Sequence, residues 1–433
     1  MRATRSTSIR LAPPSGGMAY SCAMTPARNA LAIVGAGPIG LEAAALALDH
    51  GFDVHVFEQG DVASHPIAWG HVRMFTPWRM NLGPAATQRL ARAGWSAPDP
   101  EQCPTGLELA ERYLQPLAAL PELKPRIHTH AQVVHLSRSG ALKGDLIGDP
   151  RRAEHPFRVL VRDQGGRESF LHAHSLIDAS GVYARPNWAG DGGIPARSEL
   201  YLAPQMSYHA DDVLGARRAR YAGRRTLVIG GGASAATSIA ALAELASQAP
   251  GTGAVWATRC RAEELMPEIA DDPLPERRAL FRRARELARG GDPTIVHVGG
   301  AVVEGFEFNS ATHRYRATLM IDGKPRVEEV DEVLVQTGFG PDDSIYRELQ
   351  VHECYATRGS MALSTALLGA KSKDCLQTPA FGIDALRNPE PRFFILGNKS
   401  YGRNPTFLLE TGYRQVAEVV AALAQQLEVA AKA

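Results

Sequence analysis

The chain has 433 residues, of which 45% are hydrophobic and 21% charged. Its 47 Lys and Arg nearly balance 46 Asp and Glu, and a formal charge of +1 recruits neither nucleic acid nor an anionic membrane surface. No run of 18 uncharged apolar residues occurs, which excludes a membrane-spanning helix, and the length suits two or three domains.

Residues 1–29 contain Arg2, Arg5, Arg10 and Arg28, many Ser and Thr, and no Asp or Glu. That composition has the character of a transit peptide. The preferred reading is a flexible N-terminal extension, with Met18 and Met24 as alternative starts. The first strong pattern is the apolar run Leu31-Ala-Ile-Val34. It leads into Gly35-Ala-Gly37-Pro38-Ile39-Gly40, an Ala/Leu-rich helix to about His50, and a second strand, Asp53–Phe57, ending at Glu58. This strand–turn–helix–strand unit opens a dinucleotide fold. Gly35 permits the tight turn, Gly37 lets backbone approach a pyrophosphate, and Gly40 lets helix and strand pack closely. The helix start offers free N–H groups to phosphate, and Glu58 stands where a carboxylate accepts bonds from ribose hydroxyls.

Further along, Leu107–Leu114 reads as a helix that stops near Pro116. Phe157–Arg162 and Glu168–His172 read as a hairpin across Gln164–Gly166, and Ser175–Ala179 as a strand closed by Ser180-Gly181. The opening pattern then recurs, about 195 residues on. Thr226–Ile229 is a strand, Gly230-Gly-Gly232-Ala233-Ser234-Ala235 a glycine turn, and an Ala-rich helix runs to about Ala246 before the strand Ala254–Ala257. This second strand ends in Thr258-Arg259-Cys260-Arg261, without an acid. An available guanidinium suits the 2′-phosphate of NADPH rather than NADH. Arg277–Arg289 reads as a solvated basic helix. Residues 304–335 read as strands, ending in Gln336-Thr337-Gly338. Phe393–Leu396 is a last strand, followed by a long helix from about Asn404, with Asn404 as its cap and Pro405 at its first position. Lys399, Tyr401 and Arg403 either flank a ligand at that helix or are exposed.

The five cysteines, Cys22, Cys103, Cys260, Cys354 and Cys375, show no paired spacing. A disulfide framework or zinc site is disfavoured, and reduced thiols in a cytoplasm fit better. His71, His128, His130 and His209 show no metal-ligand spacing either.

Two glycine fingerprints, the second inside the halves of the first, make the chain resemble the flavin-containing monooxygenases and related two-dinucleotide-binding-domain flavoproteins. Other segments agree. Trp69-Gly-His71-Val-Arg73-Met-Phe75-Thr76-Pro77 is similar to the segment that runs along the flavin in these enzymes. Asp178-Ala-Ser180-Gly181 through Pro186, and Gln336-Thr337-Gly338-Phe339-Gly-Pro341, resemble the two crossings between domains. Gly397-Asn398 matches their late Gly-Asp, with an amide in place of the acid. The redox CxxC of thioredoxin reductases is missing, as is the FxGxxxHxxxY/F string of true flavin-containing monooxygenases.

The resemblance implies an α/β fold of two Rossmann-like dinucleotide-binding domains, the NADPH domain inserted into a discontinuous FAD domain. The expected boundaries are 30–215 and 339–433 for the two FAD parts and 216–338 for the NAD(P)H domain. FAD would be held by Gly35, Gly37, Pro38, Ile39, Gly40, Glu58 and Gln59, with Trp69, Arg73 and Thr76 along the flavin. Val133, Ser180, Gly181, Gly397, Asn398 and Thr406 would complete that site. NADPH would be held by Gly230, Gly232, Ala233, Ser234, Ala235, Arg259, Thr337 and Gly338. NADPH would pass a hydride to the flavin, and the reduced flavin with O2 would give a C4a-hydroperoxide that oxygenates an amine, sulfide or ketone. The alternatives are a reductase serving an organic acceptor, and a flavin-bound sensor without turnover. The implied partners are a small-molecule substrate and O2, with a homodimer as the candidate assembly. No catalytic side chain stands out.

Overall fold

The structure, a computed structural model, describes residues 26–370, 376 and 381–432. Met18, Met24, Cys22, Cys375 and most of the proposed extension lie outside the described residues. Strands β1 (Ala30–Val34), β2 (Asp53–Phe57) and β3 (Ile127–His128) begin the first unit. A meander of β4 (Ala131–Arg138), β5 (Phe157–Asp163) and β6 (Glu168–Ala173) follows, then β7 (Ser175–Asp178). The second unit holds β8 (Arg225–Ile229), β9 (Gly253–Thr258) and β10 (Ile295–Gly299). It continues through a second meander, β11 (Ala301–Asn309), β12 (Arg314–Ile321) and β13 (Lys324–Val330), to β14 (Glu332–Val335). The chain then returns with β15 (Phe393–Ile395).

The main sheets have the orders β15-β7-β1-β2-β3 and β10-β9-β8-β14, and each is parallel throughout. A parallel sheet covered on both faces needs continuous apolar strands. The runs at β1 and β15 meet that need, every residue of both being buried. The first sheet is therefore completed by a strand from beyond the second unit. The core around β8 and β9 also takes in Ala189, Ala196, Leu202 and Met206, so the stretch leading out of β7 already packs on the second unit.

Helix α1 (Pro38–Asp49) follows the first glycine turn, and α2 (Pro84–Arg92) packs beside it. Glu42 of α1 is buried and accepts the N–H groups of Ala85 and Ala86 at 2.9 Å each, supplying the missing cap at the start of α2. Helix α3 (Ala233–Gln248) follows the second glycine turn, and α4 (Pro275–Ala288) covers it. The last helix, α5 (Leu409–Lys432), packs on α1.

Three expectations are corrected. Pro116 does not stop a helix: the run continues from Gly106 to Ala118, because a π turn over Ala110–Leu114 offsets the bonding and sets Pro116 at the start of the next turn. Asn404 does not cap α5, which starts five residues later; its Oδ1 accepts the N–H and hydroxyl of Thr406 in a local turn. The basic helix α4 is not a wholly solvated face, since Arg277 is buried in a two-bond ion pair with Asp272.

A buried clasp ties the returning strand to the first meander. Glu390, fully buried just before β15, accepts from Arg138 at 2.7 Å and Arg152 at 2.9 Å. Burial pushes the Arg138 guanidinium down to about 10, against the opposing pull of Glu390.

His128 of β3 stacks against Phe57 and His55 at 5.1 and 5.6 Å between ring centroids. Burial, then the His55 ring, lowers its pKa from the ordinary 6.5. Below pH 6.5 the unfolded chain takes up this proton while the fold resists it. The stability it contributes is therefore present above that pH and is lost as pH falls toward the folded value. His128→Gln is expected to flatten the fall in melting temperature between pH 7 and pH 5. An unchanged slope would show that His128 does not carry it.

Candidate dinucleotide sites

The C-terminal ends of β1, β7 and β15 open on one cavity. Gly35, Gly37, Pro38, Ile39, Glu58 and Gln59 line it from the first glycine turn. Val133, Ser180, Gly181, Gly397 and Asn398 line it from the neighbouring strand ends. Gly35 has φ +101°, and its N–H donates to Phe57 O at 2.7 Å, closing the turn. Gly40 does not line the cavity. A Cβ there would sit 1.9 Å from Gly35 O, so its role is close packing of helix on turn. A Cβ on Gly37, by contrast, would meet nothing within 4 Å. Gly37 is the N-cap of α1 and has no side-chain cap, so the first N–H groups of α1 are left for a ligand. Each Glu58 oxygen accepts one backbone N–H, from Ala36 and Gly60 at 2.9 Å, which fixes the carboxylate and leaves lone pairs for hydroxyls.

The second turn repeats this geometry. Gly230 has φ +137° and donates to Ala257 O at 3.1 Å. A Cβ on it would meet Gln336 O at 2.2 Å, whereas one on Gly232, the uncapped N-cap of α3, would meet nothing within 4 Å. Gly230, Gly232 and Ala235 thus shape this turn without lining a cavity. Ala233, Ser234 and Gly338 line the second cavity, of about 940 Å³, together with Trp69, Arg73, Thr76 and Thr406. The residues expected along a flavin therefore face those expected to hold a nicotinamide nucleotide. Phe407 lines both cavities, so they adjoin.

The segment behind this wall is fixed. Thr76 Oγ1 donates to Asn81 Oδ1 at 2.8 Å, and Asn81 Nδ2 donates back to Thr76 O. Tyr413 of α5 donates to Asn81 O at 2.7 Å. The two crossings also meet. Thr337 Oγ1 donates to Asn187 O at 2.7 Å, Asn187 N to Gly338 O, and Gly340 N to Arg185 O. Thr337 thus joins the crossings and lines neither cavity. Arg259 is exposed at the end of β9, while Arg261 is engaged by Asp322 at 3.0 Å.

Lys399 and Tyr401 are buried, against the reading that leaves them in solvent; Arg403 is exposed. The Lys399 ammonium donates to Asp178 Oδ2 at 2.6 Å and Ser180 Oγ at 3.0 Å, on the floor of the first cavity. Ser180 in turn donates its N–H and hydroxyl to Asp178 Oδ1. Half-buried His65 also lines this cavity, its ring tilted against Tyr183, and burial lowers its pKa. His71 and His209 line a neighbouring cleft. Among the described residues no cluster of His, Cys, Asp and Glu could hold a metal ion, and no helix is long and apolar enough to cross a membrane.

Residues 33–84 match the family model of an NAD(P)-binding Rossmann-like domain. Among solved structures, the bacillithiol disulfide reductase of Bacillus cereus is similar over 92% of this chain and 99% of its own, at TM-score 0.65 and 19% identity. The ornithine N-hydroxylase of Kutzneria sp. 744, solved with reduced FAD, NADP+ and L-ornithine, is similar over 93% and 100%, at TM-score 0.61 and 17% identity. This is the fold of the two-dinucleotide-binding-domain flavoproteins. The FAD-bound cadaverine monooxygenase of Erwinia amylovora shares it, over 91% and 94%, at TM-score 0.60 and 14% identity. No curated protein sequence matches the chain. The shared fold thus spans reductases and monooxygenases alike.

Proposed function

We propose that this chain is an NADPH-dependent FAD oxidoreductase, and specifically a monooxygenase of a small molecule. The observation carrying this reading is the pair of uncapped helix starts, α1 and α3, behind open glycines and serving two adjoining cavities. Each presents free N–H groups and a partial positive charge to a pyrophosphate. Gly35, Gly37 and Glu58 hold FAD, while Gly230, Gly232 and Ser234 hold NADPH, with Arg259 on its 2′-phosphate. When bound, FAD would supply the redox and oxygen-transfer chemistry. The fixed Trp69–Thr76 segment would hold one wall of the space the two cofactors share. Val72, Met74, Phe75 and Phe339 keep that space apolar and exclude water. The enzyme works in a cytoplasm, where Cys103, Cys260 and Cys354 stay as the free thiols they are in the structure.

A second reading, a reductase serving an organic acceptor, draws on the likeness to the disulfide reductase. No cysteine among the described residues lines either cavity, which gives a thiol-relay version no support. The test is NADPH oxidation by the purified yellow protein, with O2 uptake and product measured together. A monooxygenase consumes one O2 per NADPH and puts one oxygen atom into the product. Electron transfer to an acceptor with O2 absent supports the reductase. Arg259→Ala is expected to lower the preference for NADPH over NADH by about tenfold, the loss of one charge-assisted contact of ~1.4 kcal/mol.

A further inference from the structure

One wall of the second cavity comes from neither glycine turn. Pro267, Ile269, Leu274, Arg277 and Phe281, from α4 and the stretch before it, form that wall beside Phe75. Phe281 and Phe75 meet edge to face, with centroids 6.0 Å apart. If the other walls hold the flavin and nicotinamide rings, this one meets the substrate.

Its buried charged groups are already engaged, while the neutral Tyr183 hydroxyl and Gln336 Oε1 are buried without a hydrogen-bond partner. Arg277 donates to both Asp272 oxygens, at 2.9 and 2.7 Å, and both side chains are buried, so the pair presents no net charge. Tyr208 donates to Glu199 at 2.8 Å, Thr237 to Ala233 O, and Gln336 Nε2 to Ser238. Arg73 is exposed and donates to Cys103 O. Glu268 carries the remaining carboxylate on the lining, and it is exposed. Among the described residues, the cavity thus has no buried, uncommitted charge to receive an ammonium or carboxylate. Moving an unpaired charge into such surroundings costs several kcal/mol.

We infer that this cavity selects an uncharged, apolar substrate, such as a thioether or a ketone, and rejects ammonium-bearing molecules. The inference rests on the monooxygenase reading above. For a thioether the reaction balances as NADPH, H+, O2 and R2S giving NADP+, H2O and R2SO. One oxygen atom forms the S–O bond, and the other leaves as water with the two electrons from NADPH. The charge-neutral wall separates this chain's substrate class from the cationic substrates named for the ornithine and cadaverine hydroxylases that share its fold.

The test titrates the FAD-loaded protein with methyl phenyl sulfide, cyclohexanone, cadaverine and ornithine. Binding is read from the flavin absorbance, and NADPH-dependent product separately. The expected result is that one or both neutral probes bind at least about 100-fold more tightly than both cations, the equivalent of about 2.7 kcal/mol. In Phe281→Asp, which adds a carboxylate to the wall, the gap is expected to narrow at least tenfold. Should that variant not fold, the four-probe panel on the unaltered protein decides. Ornithine or cadaverine binding as tightly as the sulfide, and released by Glu268→Gln, would overturn the inference. So would a flavin that NADPH reduces but that no neutral probe perturbs. A protein that binds no flavin, or whose flavin NADPH leaves oxidised, instead defeats the functional reading itself.

Discussion

Lys399→Met is expected to lower the stability of the protein by about 3–5 kcal/mol, the usual cost of removing one partner from a buried ion pair. Asp178 is fully buried, and its Oδ2 is 2.6 Å from the lysine ammonium. Without Lys399 the carboxylate keeps only the Ser180 N–H and hydroxyl on its other oxygen. It sits at the end of β7, beneath Ser180 and Gly181, so the floor of the first cavity loosens along with the fold. Denaturant unfolding followed by tryptophan fluorescence gives the size of the loss, and retained flavin gives its effect on the site. Adding Asp178→Asn removes the stranded charge and is expected to recover part of the stability. A single-variant loss under 1 kcal/mol would show the pair to be nearly neutral.

Gly37→Val and Gly232→Val are expected to separate the two cofactors. Both glycines have ordinary negative φ, −87° and −98°, and an added Cβ at either touches nothing. Valine is therefore tolerated by the fold but fills the space offered to a pyrophosphate. Gly37→Val should purify folded and colourless. Gly232→Val should stay yellow and lose at least 100-fold in kcat/KM for NADPH, while photoreduction still bleaches its flavin. The control is Gly40→Ala, whose Cβ would lie 1.9 Å from Gly35 O, and it is expected to damage the fold itself. A Gly37→Val protein that keeps its full flavin content would remove the basis for the first site.

The parts of this molecule legible in the sequence are those written locally. The glycine turns, their flanking strands and Glu58 lie within one βαβ unit, where spacing alone fixes what meets what. Lys399 and Asp178 lie 221 residues apart, and no period in the sequence could pair them. The contact between the crossings, Thr337 to Asn187, spans 150 residues and is hidden for the same reason. Asn404 misled because the carbonyl oxygen that caps a helix also closes a local turn. Pro116 misled because a π turn absorbs a proline that an ordinary α turn would reject. Arg277 stands in a run of exposed arginines, and Asp272, five residues earlier, singles it out only once the stretch before α4 is seen to fold back. The wall of the second cavity was legible least of all, since it joins Phe75 to Phe281 across two units.

Because β15 fills the edge of the first sheet, the order of synthesis matters. When the ribosome has delivered residue 335, every strand of the second sheet exists, while β7 still lacks its outer neighbour. The inserted unit can therefore mature first, leaving a nascent chain with an unprotected strand edge until β15 emerges. A nonsense mutation between Val335 and Phe393 would leave that edge permanently bare and make the truncated polypeptide aggregation-prone.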